Sequence, residues 1–344
     1  MKKFRYIGAV HIHTSCSDGS ENLNTISLLA KKAGLDFIIV TDHNDLHIED
    51  EGFVNGVAVI RGEEISPLKD NHYLALNINE NIINYDDCNK NIEAVKTAGG
   101  FGFAAHPDTS ENRHNSYAPI LWTDKSAIPQ GVEIWNWFSQ WGDVFDERNI
   151  FTIAYSYLFK TKLKNEPYRK TLEWWDELNR SSYNIVPAIG GIDAHALRIK
   201  KYILPVTVFP YSFMFKTVIN QVYLDTPLSH NFEVLKRQIL NALKSGNNIV
   251  VNQLVSKNIP EITVCNNSFE AVCGENILLD NNTYMHLTSA KKAEFTVYKN
   301  GFEYAKCTTS NKAIKITESA KYRVEVKING RGFAYTNPIN VMGG

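Results

Sequence analysis

The chain has 344 residues, with 36 lysines and arginines against 37 aspartates and glutamates, a formal net charge of −1. This balance gives no global reason for nucleic acid or a membrane surface as partner, and no stable nucleic-acid partner is expected. No apolar run approaches the roughly 18 residues that span a bilayer, and MKKFRYIGAV holds no apolar segment of signal-peptide length, so no membrane association and a cytoplasmic location are expected.

In chain order, Tyr6 to Thr14 reads as a buried strand, and Ser17-Asp18-Gly19-Ser20 is turn chemistry. Ile26, Leu29 and Ala30 fall at helical spacing within Asn24–Ala33, and Gly34 stops that helix. Phe37–Val40 and Val57–Ile60 are apolar runs of the kind found in strands buried on both faces. Tyr73–Leu76 is a further strand, 86–98 a helix closed by Gly99-Gly100, and Phe101–Ala105 a strand again. Gly131–Trp137 and Ile185–Ile192 repeat the strand pattern, with helical segments expected near 142–160 and 168–181. Asn231–Leu243 is an amphipathic helix stopped by Gly246. Beyond 256 come short β-patterned runs, Glu261–Val264, Thr283–Leu287, Glu294–Tyr298, Ala313–Ile316, Tyr322–Ile328 and Ala334–Tyr335, separated by turns such as Asn300-Gly301 and Asn329-Gly330. Strands alternating with helices imply parallel βαβ units over 1–255, and the tail, 256–344, reads as a small antiparallel sandwich.

Polar residues recur at the ends of the apolar strands. His11 and His13 form an H-x-H pair, and in a strand two such residues share a face and can hold one ion together. Asp18, His43 (in Thr41-Asp42-His43-Asn44), Glu64, His72, His106, Asp193 and His195 follow. Imidazole and carboxylate bind Mn²⁺, Fe²⁺ or Zn²⁺ well, and these residues are too many for one ion and suit two or three. Buried singly and unpaired they would cost heavily, so convergence on a metal cluster is the favoured reading. Asp42 and Asn44 read as hydrogen-bond partners of ligands rather than ligands. The five cysteines are scattered and never form C-x-x-C, which argues against a disulfide scaffold or zinc ribbon.

Together, H-x-H-x4-D-G, T-D-H-N, G-x-E-I-S at Gly62–Ser66, A-H-P and D-A-H resemble the polymerase and histidinol phosphatase (PHP) superfamily over about residues 5–255. The resemblance implies a distorted (β/α)7 barrel and a metal-dependent phosphoric ester hydrolase with a trinuclear centre. By motif, His11 and His13 would share a first ion with Glu64 and Asp193. Glu64 would bridge to a second ion held by His72 and His106, and Asp18, His43 and His195 would hold a third. Glu64 is chosen over Glu63 for its spacing to Ile65-Ser66. Glu64, Asp193 and His195 would be the catalytic residues, with a metal-bridging hydroxide attacking the ester. Tyr322-Arg323-Val324-Glu325-Val326 followed by Thr336-Asn337-Pro338-Ile339 more loosely resembles the C-terminal β domain of carbaryl-hydrolase-like PHP proteins, which cleave a carbamate ester.

The expected substrate is a small phosphorylated compound or a nucleotide. Arg113, His114 and Arg198 follow ligand motifs and are candidates for gripping it, since guanidinium forks match phosphate. A carbamate or carboxylic ester hydrolase using the same centre is the alternative, and a non-catalytic, metal-stabilised binding module a third reading. The tryptophan-rich middle (Trp135, Trp137, Trp141, Trp174, Trp175) fits core packing, a cleft wall, or stacking on an aromatic leaving group.

Overall fold

The structure, a computed structural model, describes residues 3–108, 120–144, 166–199 and 206–343. It is a mixed α/β fold with extensive sheet and few helices. Contacts divide it into two compact units, one of residues 7–168 and 190–219, the other of 1–6, 169–189 and 220–344. Among the described residues no helix is long and apolar enough to cross a membrane.

The first unit is built around parallel pairing of β1 (Phe4–Val10), β2 (Phe37–His43) and β4 (Val57–Ile65). All nine residues of β4 are buried, as its Val-Ala-Val-Ile opening predicts, and each fully buried aliphatic side chain contributes about 1.5–3 kcal/mol. The helix α1 (Leu23–Ala33) turns Ile26 and Ala30 inward. Its first turn is capped by the Asn22 side chain, which accepts from the Thr25 amide, and left-handed Gly34 closes it. β3 (Gly52–Val54) folds back antiparallel on β4.

Two sequence expectations change here. The strand expected over Tyr6–Thr14 ends at Val10, because His11 takes a left-handed φ of 66°, and Ile12 makes only an isolated parallel bridge to Ala194. The alternating-face argument for His11 and His13 therefore does not hold as stated, although their rings do meet. The parallel rhythm also breaks: β5 (Tyr73–Leu76) runs antiparallel to both β4 and β6 (Phe101–Ala104). The connection 66–72 is too short for a helical crossover, which takes about a dozen residues. Helix α2 (Cys88–Thr97), capped by Asp87, separates β5 from β6, and β6 pairs parallel with β7 (Gly131–Asn136). Helix α3 (Trp137–Val144) follows directly; the remainder of the helix expected to residue 160 lies outside the described residues.

The second unit is largely antiparallel. The strands Phe302–Lys315, Tyr284–Lys299, Ala320–Ile328, Arg331–Thr336 and Asn248–Asn252 pair in succession, and Glu261–Cys265 adds to the Tyr284–Lys299 strand. The runs expected at Thr283–Leu287 and Glu294–Tyr298 are one strand, interrupted by an irregularity between Thr288 and Ala293 where exposed Ala290, Lys291 and Lys292 bulge out. Met285, Leu287, Phe295, Val297, Val324 and Val326 form its buried face. Arg323 is buried against helix Arg169–Ser181: its Nε and Nη2 donate to the two oxygens of Asp176 at 2.6 and 2.7 Å, and its Nη1 to Glu325 at 2.8 Å. Asn337, also buried, accepts from the Ala188 amide and donates to the carbonyls of Ala188 and Asn248. Arg323 and Asn337, two residues of the looser resemblance, thus have a packing role within this unit.

Candidate metal centre

The register of the first unit sets His43 directly beside Glu64 at the ends of β2 and β4. His11 and His13 follow β1, His72 precedes β5, His106 follows β6, and Asp193 and His195 follow β8 (Ala188–Gly191). Ligand-type atoms of these residues with Asp18 fall into overlapping groups, each with atoms within 4.8 Å of one another: His11, His13 and Asp193; His11, Glu64 and His106; His43, Glu64 and His72; and His13, Asp18, His43 and His195.

Glu64 stands at the middle. Its Oε2 lies 3.3 Å from both His11 Nε2 and His13 Nε2, and its Oε1 lies 2.9 Å from His72 Nδ1 and 3.0 Å from His106 Nε2. Asp193 Oδ1 is 3.2 Å from His13 Nε2 and 3.5 Å from His11 Nε2. Asp18 Oδ1 lies 3.2 Å from His195 Nε2, 3.7 Å from His43 Nε2 and 3.8 Å from His13 Nδ1. The rings of His13 and His195 stack with centroids 4.1 Å apart. The inner groups are buried, whereas the Asp18 side chain is 53 % exposed and that of His43 28 %, so the cluster opens on that side. Glu63 points elsewhere: its Oε2 accepts from the Ile82 amide, and burial pushes its pKa up to about 7.

Charge explains why these groups tolerate one another. Burial alone presses His11 towards neutrality, but Asp193, Glu133 and Glu64 outweigh it and hold its pKa well above the ordinary value. His195, likewise buried, is pushed up to about 9 by Asp193 and Asp18. Burial and the neighbouring His195 push His13 down to about 4. Burial opposes ionisation of Glu64 and Asp193, yet the imidazoles around them, His11 foremost, hold both well below the carboxylate range. Among the described residues, His11 Nε2, both ring nitrogens of His13 and Glu64 Oε2 are buried without a hydrogen-bond partner. Such atoms are costly unless a cation sits among them. The donor set therefore fits divalent metal.

Several supporting residues escaped the sequence reading. Glu133 and Asn136, on β7, touch His11, His106 and Asp193. Ser66 Oγ lies 2.5 Å from His43 Nδ1. The Tyr211 hydroxyl donates to the His13 carbonyl at 2.7 Å and also approaches that of His195. Phe138, half-buried, lies with its ring centroid 5.5 Å from that of His195. Asp42 is a hydrogen-bond hub, not a member of the cluster: burial opposes its ionisation, but Ser17, Thr14 and Arg61 outweigh this and keep its pKa low. Gly19 is required where it stands, since a Cβ there would lie 2.5 Å from the His13 carbonyl oxygen. Of the proposed substrate contacts, Arg198 pairs with Glu21 at 2.7 Å, near the open side through Ser20, whose amide donates to the His195 carbonyl. Arg113 and His114 lie outside the described residues.

No family model matches the chain. It is similar to the uncharacterized protein MJ1587 of Methanocaldococcus jannaschii, 29 % identical over 154 residues, covering 39 % of this chain and 84 % of that protein. Among solved structures it is similar to a two-domain protein from Bacteroides vulgatus containing a predicted PHP-like metal-dependent phosphoesterase, with 14 % identity and a TM-score of 0.45 over 98 % of this chain and 95 % of the other. The His/Asp/Glu cluster of this chain fits a metal site.

Proposed function

We propose that this chain is a PHP-type, metal-dependent hydrolase of phosphoesters. In this reading a distorted (β/α)7 barrel occupies 1–255 and a small β-sandwich 256–344, and the protein works in the cytoplasm on a small phosphorylated compound or nucleotide. One observation carries it: the two oxygens of Glu64 face different imidazoles, Oε2 those of His11, His13 and His43, and Oε1 those of His72 and His106. A carboxylate so placed suits bridging two cations.

His11, His13, Glu64 and Asp193 are assigned to one ion, Glu64, His72 and His106 to a second, and Asp18, His43 and His195 to a third. Divalent ions held by these residues, manganese, iron or zinc, would supply Lewis acidity that brings water ionisation near neutral pH and offsets charge on phosphoryl oxygens. The chain's own part is to hold this constellation rigid, dry and correctly charged. Glu64 and Asp193 stay ionised in a buried setting and limit the positive charge there. Asn136 Nδ2, 3.3 Å from Asp193 Oδ2, favours the ionised form of that oxygen. Substrate enters from the half-exposed side at Asp18 and His43, with Arg198 at hand to meet an anionic group once it releases Glu21.

A second reading, hydrolysis of a carboxylic or carbamate ester, is favoured by Phe138 beside His195 and the adjoining rings of Trp141 and Phe209, an apolar wall suited to an uncharged leaving group. The test is metal analysis of the purified protein together with hydrolysis of p-nitrophenyl phosphate, bis-p-nitrophenyl phosphate and p-nitrophenyl acetate. Metal-dependent turnover of a phosphate is expected, with loss of more than about 100-fold in Glu64→Gln. Preference for the acetate selects the second reading; full activity of Glu64→Gln, or no more than one ion per chain, overturns the bridging assignment.

A further inference from the structure

Glu133 is fully buried on β7, and neither strand periodicity nor motif gave it a task. Its two oxygens are divided between separate segments. Oε1 lies 2.8 Å from His11 Nδ1, while Oε2 accepts from the His106 amide at 2.6 Å and from Asn136 Nδ2 at 3.0 Å. The same Asn136 amino group reaches Asp193 Oδ2. One carboxylate and one amide thus connect His11, His106 and Asp193. These three residues share an unusual backbone, with φ values of 66°, 29° and 52°. A non-glycine residue in that region is strained and persists only where its surroundings impose it. Room for the carboxylate is also reserved: a Cβ on Gly191 would lie 1.6 Å from Glu133 Oε1.

A carboxylate can only accept. In the neutral form that can bind a cation, His11 facing Glu133 carries its one proton on Nδ1, and Nε2, which looks towards Glu64 and Asp193, keeps its lone pair. Resting on the metal-centre reading above, we infer that Glu133, with Asn136, is a positioning residue that fixes the tautomer of His11 and the strained backbones of His106 and Asp193.

Glu133→Gln separates this role from mere filling of space. Glutamine has one acceptor oxygen. If that oxygen faces His11, the new amino group confronts the His106 amide and Asn136. If it faces them, the amino group donates to His11 Nδ1 and drives the proton onto Nε2. The test is competition titration of metal-free, full-length protein with Zn²⁺ against a chromophoric chelator, with imidazole ¹⁵N spectra of the zinc-loaded protein. Glu133→Gln is expected to weaken the tightest zinc equivalents about 10- to 100-fold and to alter the His11 nitrogen signals. Unchanged affinity, or weakened affinity with His11 still protonated on Nδ1 alone, overturns the inference. Should Glu133→Gln fail to fold, Asn136→Ala replaces it, and there too unchanged affinity overturns the inference. A protein that binds zinc as described yet hydrolyses none of the test esters overturns the hydrolase reading and leaves the role of Glu133 supported.

Discussion

Replacing Asp42 by asparagine is expected to destabilise the first unit by about 4 kcal/mol, near a thousandfold in the folding equilibrium. Asp42 Oδ1 accepts from the Thr14 amide at 2.7 Å and Ser17 Oγ at 2.6 Å; Oδ2 accepts from Thr14 Oγ1 at 2.8 Å and Arg61 Nη2 at 3.1 Å. Neither Asp42 nor Arg61 has any exposed side chain. Asparagine keeps one oxygen, so its amino group must face one of these donor pairs. A hydroxyl can rotate to accept from it, but the Thr14 amide and the Arg61 guanidinium cannot both keep an acceptor. In either orientation the buried guanidinium loses its counter-charge and retains its Nε bond to the Leu46 carbonyl. Breaking a buried ion pair from one side costs about 3–5 kcal/mol, of which a neutral hydrogen bond accounts for only about 1. Urea unfolding, compared at constant slope, measures the loss. Removing both charges in Asp42→Leu with Arg61→Met should recover most of it. A single variant within about 0.5 kcal/mol of wild type, or a double variant no better than the single, refutes the reasoning.

Chelation gives a pH-dependent prediction. In metal-free protein the raised pKa of His195, about 9, contributes stability that is complete below the ordinary value of 6.5 and is lost as pH rises towards 9. Metal binding requires neutral imidazole, so the gap in melting temperature between loaded and EDTA-treated protein should widen from pH 6.5 to 9; a gap that narrows contradicts the assignment. In the second unit, Asp176→Ala should cost about 3 kcal/mol, because Glu325 remains as a partial partner for the buried Arg323. Denaturant midpoints check this, and a change below about 0.5 kcal/mol would mean that the pair contributes little.

Much of this arrangement is legible in the chain itself. Apolar runs such as Phe37–Val40 locate the strands, because strands buried on both faces leave no room for polar side chains. Asn22 and Gly34 bracket a helix as its backbone chemistry requires. The histidines and acids of the motifs do converge, since strands that pair side by side bring their ends together. Other features were hidden for physical reasons. Nothing in the letters of Ala9-Val10-His11 announces a left-handed residue, because tertiary contacts impose it. Glu133 sits in an apolar run, Gly-Val-Glu-Ile-Trp, where a lone acid gives no hint of which segments it will meet. Direction was equally invisible, since period and composition are the same for a strand running either way.

That direction has a consequence for how the cluster is assembled. His11, His43, Glu64, His106 and Asp193 are delivered as the chain leaves, or nears the end of, their respective strands, whereas His72 is met just before β5 begins. Had β5 run with its neighbours, its entrance would lie on the far side of the sheet and His72 would be stranded there. Because it is inverted, its entrance and their exits share one rim, and the tight return 66–72 spans only that rim. A single reversed strand thereby adds an imidazole to the cluster without a crossover of its own.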